Sequence, residues 1–276
     1  MDEQQHFRSF LFVPGSRPER FEKAIATGAD GVCIDLEDAV APGQKDQALN
    51  AVQEFLSTSS DQTNVGVRIN ALEDEQSVRD LAVLSESEQQ PAFVMIPKVT
   101  NADEIVCVQD RLGPRELPIW SLVETPEAML NARDIAEAVG PTGGILFGGV
   151  DYSAAIGSDR GWDAFTFARG SLANAAAIGQ CQLLDVPYLD VTDNDGMAAE
   201  TRRVKAMGFT GRACIHPKQV SVINEVFSPT AEEIEAAEKI VAAFDNAKGG
   251  AALLDGKLIE KPILLSAGRI LSARDR

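Results

Sequence analysis

The stretch IWSLVETP, residues 119–126, decides the fold, and the stretch ILFGGVDY, residues 145–152, repeats its pattern. In each, an apolar run typical of a buried parallel strand ends in an acid, Glu124 or Asp151, where a helix should begin. In a closed β/α barrel the ends of successive strands meet at one mouth, so these carboxylates should converge. Hard oxygen ligands with room for water are what Mg²⁺ binds. The alternative is that both acids are helix N-cap and first-turn residues, favoured by the helix dipole.

Length and net charge restrict the class of protein. The chain has 276 residues, of which 45% are hydrophobic and 6% aromatic. This size suits a single α/β barrel better than two packed domains. The formal net charge of -17 would repel polyphosphate, so we expect neither nucleic acid nor an anionic membrane surface as a partner.

Cysteine usage and the absence of targeting signals indicate a cytoplasmic protein. No segment approaches the ~20 uninterrupted apolar residues of a membrane span, and residues 1–6 lack the basic and apolar regions of a signal peptide. The four cysteines are far apart, so we expect buried, reduced thiols. With two histidines in the chain, a His-rich zinc site is not expected either.

Short apolar runs alternate with longer amphipathic stretches along most of the chain, which is the pattern of βαβ units in an α/β protein. About eight strands are predicted, the number that closes a (β/α)8 TIM barrel. The predicted strands are 9–13, 31–35, 65–70, 92–96, 119–123, 144–147, 187–191 and 211–215. Predicted helices include 20–27, 45–56, 102–112, 126–139 and 198–207.

The pattern changes after the eighth predicted strand, so we divide the chain into a catalytic barrel domain, residues 1–228, and a C-terminal helical and hairpin extension, residues 229–276. A hairpin this short has too little core to be stable alone, and we expect the extension to cover the barrel mouth of a neighbouring subunit. The extension is predicted to contain a helix over 231–244, a linker at Gly249-Gly250, a hairpin turning at Asp255-Gly256 and a last helix to about Ala273.

Charged residues gather at three more predicted strand ends. Asp35, Glu37 and Asp38 follow the second strand, and so much negative charge should be neutralised by a metal, by Lys or Arg, or by hydrogen bonds. Arg68 lies within the apolar third strand, where a guanidinium is costly unless it meets carboxylates. It could pair with this acidic cluster, clamp an anionic substrate, or do both. Lys98, after the fourth strand, could be another cation at the mouth or a solvated loop residue.

Seven motifs, in order along nearly the whole chain, resemble those of the citrate lyase beta subunit-like family. This family includes citryl-, malyl- and citramalyl-CoA lyases and belongs to the HpcH/HpaI aldolase superfamily of β/α barrels. The motifs are LFVPG (11–15), DLEDAV (35–40), VRIN (67–70), IPKV (96–99), VET (123–125), FGGVDY (147–152) and CIHPKQV (214–220).

Carried over by position, the resemblance implies roles for five residues of the barrel. Glu124 and Asp151 would bind Mg²⁺, and Arg68 would hold the acid or thioester oxygens of the substrate. Phe12 and Lys23 match positions that contact the CoA portion in relatives. Many relatives have Tyr at the position of Phe12, so a hydroxyl contact would be missing here.

Two further residues concern acid/base chemistry. Near the C-terminus the family usually has an Asp, placed as an acid/base from an adjacent subunit, whereas this chain has Glu260. The extra methylene displaces the carboxylate by more than an ångström, and misplacement on that scale can cost ~10²-fold in rate. His216 ends the last predicted strand before a Pro-started helix, where we expect a structural, hydrogen-bonded histidine rather than a proton shuttle.

The resemblance predicts a Mg²⁺-dependent carbon–carbon lyase that cleaves a 3-hydroxy-3-carboxyacyl-CoA to acetyl-CoA and an oxo acid such as pyruvate, with citramalyl-CoA favoured. Citryl-CoA, citryl-acyl-carrier and malyl-CoA lyases are alternatives, because their pockets differ by contacts worth only ~1–3 kcal/mol each. An aldolase on free oxo acids and a non-catalytic subunit that binds an acyl carrier are rivals of other classes, and the intact charged residues argue against the latter. The expected assembly is a homo-oligomer, a trimer or hexamer.

Overall fold

The computed structural model describes residues 6–58, 64–114, 117–246, 252–254 and 257–274. The chain divides into two compact units, residues 1–224 and 225–276. The division falls within a helix, shortly before the domain boundary expected from the sequence. The predicted linker at Gly249-Gly250 and the predicted turn at Asp255-Gly256 lie outside the described residues.

The first unit is a closed barrel of eight parallel strands in sequential order, so the predicted TIM-barrel fold is confirmed. The strands are β1 (Ser9–Pro14), β2 (Gly31–Asp35), β3 (Val65–Arg68), β4 (Val94–Ile96), β5 (Ile119–Val123), β6 (Gly144–Phe147), β7 (Gln182–Asp185) and β8 (Gly211–Cys214). Pairing of β1 with both β2 and β8 closes the sheet. Helices on the outside are α1 (Phe21–Ile25), α2 (Lys45–Thr58), α3 (Glu75–Glu86), α4 (Ala102–Leu112), α5 (Pro126–Leu130), α6 (Ala132–Val139), α7 (Gly149–Ile156), α8 (Trp162–Gly179), α9 (Asn194–Ala206) and α10 (Lys218–Phe227).

Aromatic side chains fill the barrel interior at the N-terminal ends of the strands. Phe7 stacks on Trp120 with ring centroids 5.5 Å apart, and Phe93 packs against Phe7 at the same distance. Glycines on neighbouring strands make room, because a Cβ on Gly66 would lie 2.2 Å from the Phe93 ring and one on Gly144 would lie 2.4 Å from Trp120. The interior is therefore packed at this end, and the opposite end, where the strands finish, is the end at which barrels bind ligands.

The seventh strand was predicted wrongly. The apolar stretch Pro187–Val191 is a loop, and the strand is Gln182–Asp185, which directly follows α8. Because this strand begins and ends with polar residues, a search for apolar runs does not identify it. They are buried because each has a dedicated partner: Gln182 accepts a backbone N–H at 2.8 Å, and Asp185 pairs with Arg169 at 2.9 Å.

Three predicted helices differ in extent from the structure, and one of them, predicted over 198–207, begins at Asn194 as α9. The stretch predicted as one helix over 126–139 is two helices, α5 and α6, that meet at Asn131. Asn131 leaves helical geometry with ψ at 7°, and its side-chain amide donates to the carbonyl of Thr100 at 2.8 Å, which holds the junction. The predicted helix 20–27 is a short 3-10 turn followed by α1.

The second unit contains two helices and a two-stranded hairpin. These are α11 (Ala231–Asn246), β9 (Ala252–Leu254), β10 (Lys257–Ile259) and α12 (Lys261–Ser272). The two strands pair antiparallel, with Leu253 opposite Leu258, which confirms the predicted hairpin strands, and α11 packs against α12. Within the described ranges, no helix of the chain has the length and apolar character needed to cross a membrane.

Candidate active site

Glu124 and Asp151 come together at the mouth of the barrel. Glu124 directly follows β5, and Asp151 lies in the first turn of α7, directly after β6. Their side chains share a hydrogen bond. Glu124 is 2% exposed, and burial, followed by the hydrogen bond with Asp151, raises the pKa of its carboxyl to about 8. The convergence inferred from the two strand ends is thus present.

The helix-cap alternative does not account for Glu124. Thr125 is the N-cap residue of α5, and its side-chain oxygen accepts a hydrogen bond from the backbone N–H of Ala128 at 3.1 Å. The Glu124 carboxylate instead points to the neighbouring loop after β4, where it accepts the backbone N–H of Lys98 at 2.8 Å. Its position therefore has to be explained by the mouth of the barrel rather than by the helix that follows it.

Gly148 is required for the close approach of the two strand ends. A Cβ at this position would lie 2.4 Å from Cβ of Glu124 and 2.8 Å from its Oε2, both too short for real contacts. The Gly148 N–H also donates to the carbonyl of Val123 at 2.9 Å, which joins the loops after β5 and β6. The glycine thus brings the backbone that carries Asp151 against the Glu124 side chain.

Arg68 pairs with the acidic cluster, as one of its two predicted roles required. Its Nε and Nη2 donate to the two oxygens of Asp35 at 2.7 and 2.6 Å, and Nη1 lies 3.0 Å from Glu37 Oε2. The ring of Phe12 lies 5.1 Å from the guanidinium carbon. Asp35 accepts hydrogen bonds from two of the five N–H groups of the guanidinium, and the other three do not bond to Asp35. The side chain is 11% exposed and can reach a ligand in the mouth.

Lys98 forms an ion pair with the acidic cluster, although 47% of its side chain is exposed. Its ammonium donates to Glu37 Oε1 at 2.7 Å and lies 3.8 Å from Asp38. Burial raises the pKa of Glu37, against the lowering effect of the Arg68 and Lys98 charges. Arg68 and Lys98 therefore form ion pairs with all three acids after β2.

The pair formed by Glu124 and Asp151 has no such balance. In the described part of the chain no salt bridge joins either carboxylate to a Lys or Arg side chain. A divalent cation would supply the missing positive charge. Mg²⁺ accepts two carboxylates as ligands when water or substrate oxygens take its other coordination positions. Within the same ranges, no group of three or more His, Cys, Asp or Glu side chains is placed to hold a metal. The residues present fit an open Mg²⁺ site rather than a closed cage.

The remaining predicted residues lie on other elements of the chain. Lys23 is exposed on α1, and Glu260 is the exposed N-cap residue of α12 in the second unit. His216 Nδ1 accepts the backbone N–H of Lys218 at 3.2 Å and so caps the start of α10, the structural role expected from the sequence. The pairing of Arg68 with the acidic cluster that contains Glu37 was predicted, whereas the contacts of Lys98 with Glu37 and Glu124 were not.

The family model for HpcH/HpaI aldolase/citrate lyase matches residues 8–217. The chain belongs to this family. The match includes all eight barrel strands and every charged residue of the mouth described above. The resemblance seen in the seven motifs is thereby confirmed, and the protein is an enzyme of the citrate lyase and aldolase type.

Individual relatives include enzymes with two kinds of activity. The (3S)-malyl-CoA thioesterase of Cereibacter sphaeroides is 34% identical over 99% of this chain and 96% of the relative. The mitochondrial citramalyl-CoA lyase of Homo sapiens is 31% identical over 94% of this chain and 83% of the relative. The crystal structure of CitE from Mycobacterium tuberculosis in complex with magnesium, acetoacetate and coenzyme A is 32% identical, with a TM-score of 0.83 over 99% of this chain and 100% of that chain.

Proposed function

We propose that the protein is a Mg²⁺-dependent carbon–carbon lyase that cleaves a 3-hydroxy-3-carboxyacyl-CoA, with citramalyl-CoA as the favoured substrate. The observation that carries this proposal is the pair Glu124 and Asp151, two converging acids that lack a side-chain cation. Arg68 beside them adds a group suited to an anionic substrate. The complex of the CitE relative with magnesium, acetoacetate and coenzyme A supports the same combination of metal, oxo acid and thioester.

In this proposal each charged residue of the mouth has one task. Glu124 and Asp151 hold Mg²⁺ and leave the other coordination positions to water and substrate oxygens. When bound, the ion stabilises negative charge on the substrate oxygens that it contacts. The N–H groups of Arg68 that Asp35 leaves free stabilise the thioester enolate, as oxyanion donors do. Phe12 and Lys23 contact the CoA portion.

The reaction needs two proton transfers. The Glu260 carboxylate takes the proton of the hydroxyl group on C3, the bond between C2 and C3 breaks, and its electron pair remains on C2 as the enolate of the thioester. C2 then takes up a proton, so that citramalyl-CoA yields acetyl-CoA and pyruvate with every atom accounted for. We assign the return of the proton to Glu260, which is exposed and has no side-chain capping bond to α12.

We also propose that the C-terminal extension acts as a lid on a neighbouring subunit within a homotrimer or hexamer. Exposed apolar side chains in the second unit support this, because Leu253 is 74% exposed and Leu265 65% exposed. Such side chains gain from burial against another surface. A cytoplasmic location stays a prediction from the sequence, and the human relative is mitochondrial.

Hydrolysis of the thioester is the second candidate, favoured by the similarity to (3S)-malyl-CoA thioesterase. The same metal and arginine could stabilise the oxyanion formed when water attacks the thioester carbonyl. The products differ, because hydrolysis releases free CoA and the intact hydroxy acid.

The deciding experiment incubates the Mg²⁺-loaded protein with citramalyl-, malyl- and citryl-CoA and measures two products in each reaction. A lyase releases oxo acid, detected by NADH-linked reduction, with no free thiol. A thioesterase releases free thiol, detected with a disulfide reagent, with no oxo acid. Glu124→Gln and excess EDTA serve as controls and should abolish either signal. Turnover that persists in EDTA would contradict the metal assignment.

A further inference from the structure

Lys98 has an unusual backbone conformation for its position. Its φ is 53°, and Gln180 is the other non-glycine residue with positive φ in the described part of the chain. Gln180 ends α8, where left-handed residues commonly occur. Lys98 lies between β4 and α4 instead, and a residue with a Cβ adopts this conformation at a cost in free energy. Such strain is kept where surrounding contacts impose it, often at functional sites.

The conformation lets Lys98 reach two acids at once. Its backbone N–H donates to Glu124 Oε1 at 2.8 Å, while its ammonium donates to Glu37 Oε1 at 2.7 Å. The other oxygen of Glu37 is buried without a hydrogen-bond partner in the described structure, 3.0 Å from Arg68 Nη1. Lys98 thus connects the proposed metal ligand with the acid that stands beside the proposed substrate clamp.

The two oxygens of Glu37 face two different cations. Oε1 accepts a hydrogen bond from the Lys98 ammonium, whereas Oε2 lies 3.0 Å from Arg68 Nη1 in an ion pair without hydrogen-bond geometry. Without the ammonium, Glu37 would be a buried carboxylate whose remaining cation is Arg68, and buried acids bind the nearest available donor. We propose that Lys98 is a positioning residue that keeps Glu37 from forming a hydrogen bond to Arg68 Nη1, so that Arg68 can bind an anionic ligand. This inference rests on the proposed function, in which that ligand is the oxo-acid part of the substrate.

Binding of pyruvate to the Mg²⁺-loaded protein, followed by saturation-transfer NMR, tests this without requiring turnover. Lys98→Met removes the ammonium but keeps the stem and the backbone N–H, and should weaken pyruvate binding about tenfold, because the buried Glu37 carboxylate would then compete for the donors of Arg68. Its Mg²⁺ affinity, measured by calorimetry, should change less than about threefold, because the N–H to Glu124 remains. Lys218→Met, which removes an exposed lysine at the start of α10, controls for general loss of positive charge.

The double variant Glu37→Gln/Lys98→Met separates positioning from direct contact. If Lys98 acts by neutralising Glu37, removing both charges should restore most of the pyruvate affinity and most of kcat with the acyl-CoA substrate. Failure of the double variant to recover, wild-type affinity in Lys98→Met, or an equal loss in Lys218→Met would each overturn the proposal. Failure of the proposed function shows separately, as absence of acyl-CoA turnover in the wild type.

Discussion

Replacing Glu124 with Gln should stabilise the Mg²⁺-free protein at neutral pH while abolishing its response to Mg²⁺. Burial and the hydrogen bond with Asp151 raise the pKa of Glu124 from 4.5 to about 8. An acid with a higher pKa in the folded than in the unfolded state favours folding fully below pH 4.5, and this contribution is lost as the pH rises towards 8. Gln fills nearly the same space and has no carboxyl proton to lose.

The size of the effect follows from the pKa difference. One pKa unit corresponds to about 1.4 kcal/mol, so the raised pKa of Glu124 costs at most ~5 kcal/mol well above pH 8 and ~3 kcal/mol near pH 7. At pH 5 the cost is below ~1 kcal/mol, because this pH is close to the pKa of 4.5 in the unfolded state, which therefore gains little by losing the proton. Bound Mg²⁺ offsets the cost by favouring the ionised form, and it stabilises the wild type further as its concentration exceeds Kd.

Urea denaturation followed by tryptophan fluorescence measures this effect, because Trp120 and Trp162 both belong to the barrel unit. In EDTA, the Glu124→Gln variant should be about as stable as wild type at pH 5 and clearly more stable at pH 8. Saturating Mg²⁺ should raise the stability of the wild type and leave the variant unchanged. Glu127→Gln, at an exposed position of α5, is the matched control. A stability difference that is the same at pH 5 and pH 8 would refute the reasoning.

Three other predictions concern turnover and Mg²⁺ binding. Arg68→Lys keeps the charge but loses the planar fork, so kcat should fall about 10²-fold, and near wild-type kcat would make Arg68 structural only. Gly148→Ala would place a Cβ 2.4 Å from Cβ of Glu124, so calorimetry should show Mg²⁺ affinity weakened about tenfold or more, whereas unchanged affinity would argue against Glu124 as a ligand. Mixing inactive Glu124→Gln and Glu260→Ala chains should restore activity if Glu260 is donated by a neighbour, and mixed oligomers without activity would contradict the lid.

The sequence was informative where one physical rule dominated. The apolar runs of β5 and β6 have few polar residues, so their positions and their acidic ends were predicted correctly. The position of β7 was not predicted correctly. This strand begins with a glutamine and ends with an aspartate, which can be buried only because they bind partners distant in sequence. A pattern of apolar residues carries no information about such partners.

The candidate site likewise has features that the sequence predicts and features that it does not. The convergence of Glu124 and Asp151 follows from barrel topology, which requires only that each acid end a neighbouring strand. The position of Lys98 does not follow, because its contacts depend on a left-handed backbone that lysine rarely adopts. Glu37 likewise could be assigned to a charged cluster, but not to a particular cation, before the structure showed its distances to Arg68 and Lys98.

Arg68 shows why a structural ion pair and a substrate clamp are compatible roles. A guanidinium within an apolar strand is tolerated because Asp35 binds two of its five N–H groups at 2.6 and 2.7 Å. The same two bonds fix the plane of the group, so its other donors already point in a set direction when a ligand arrives. Donors that need no further ordering stabilise a developing oxyanion most effectively. The pairing that makes Arg68 acceptable to the fold is therefore also what would make it effective in the proposed reaction.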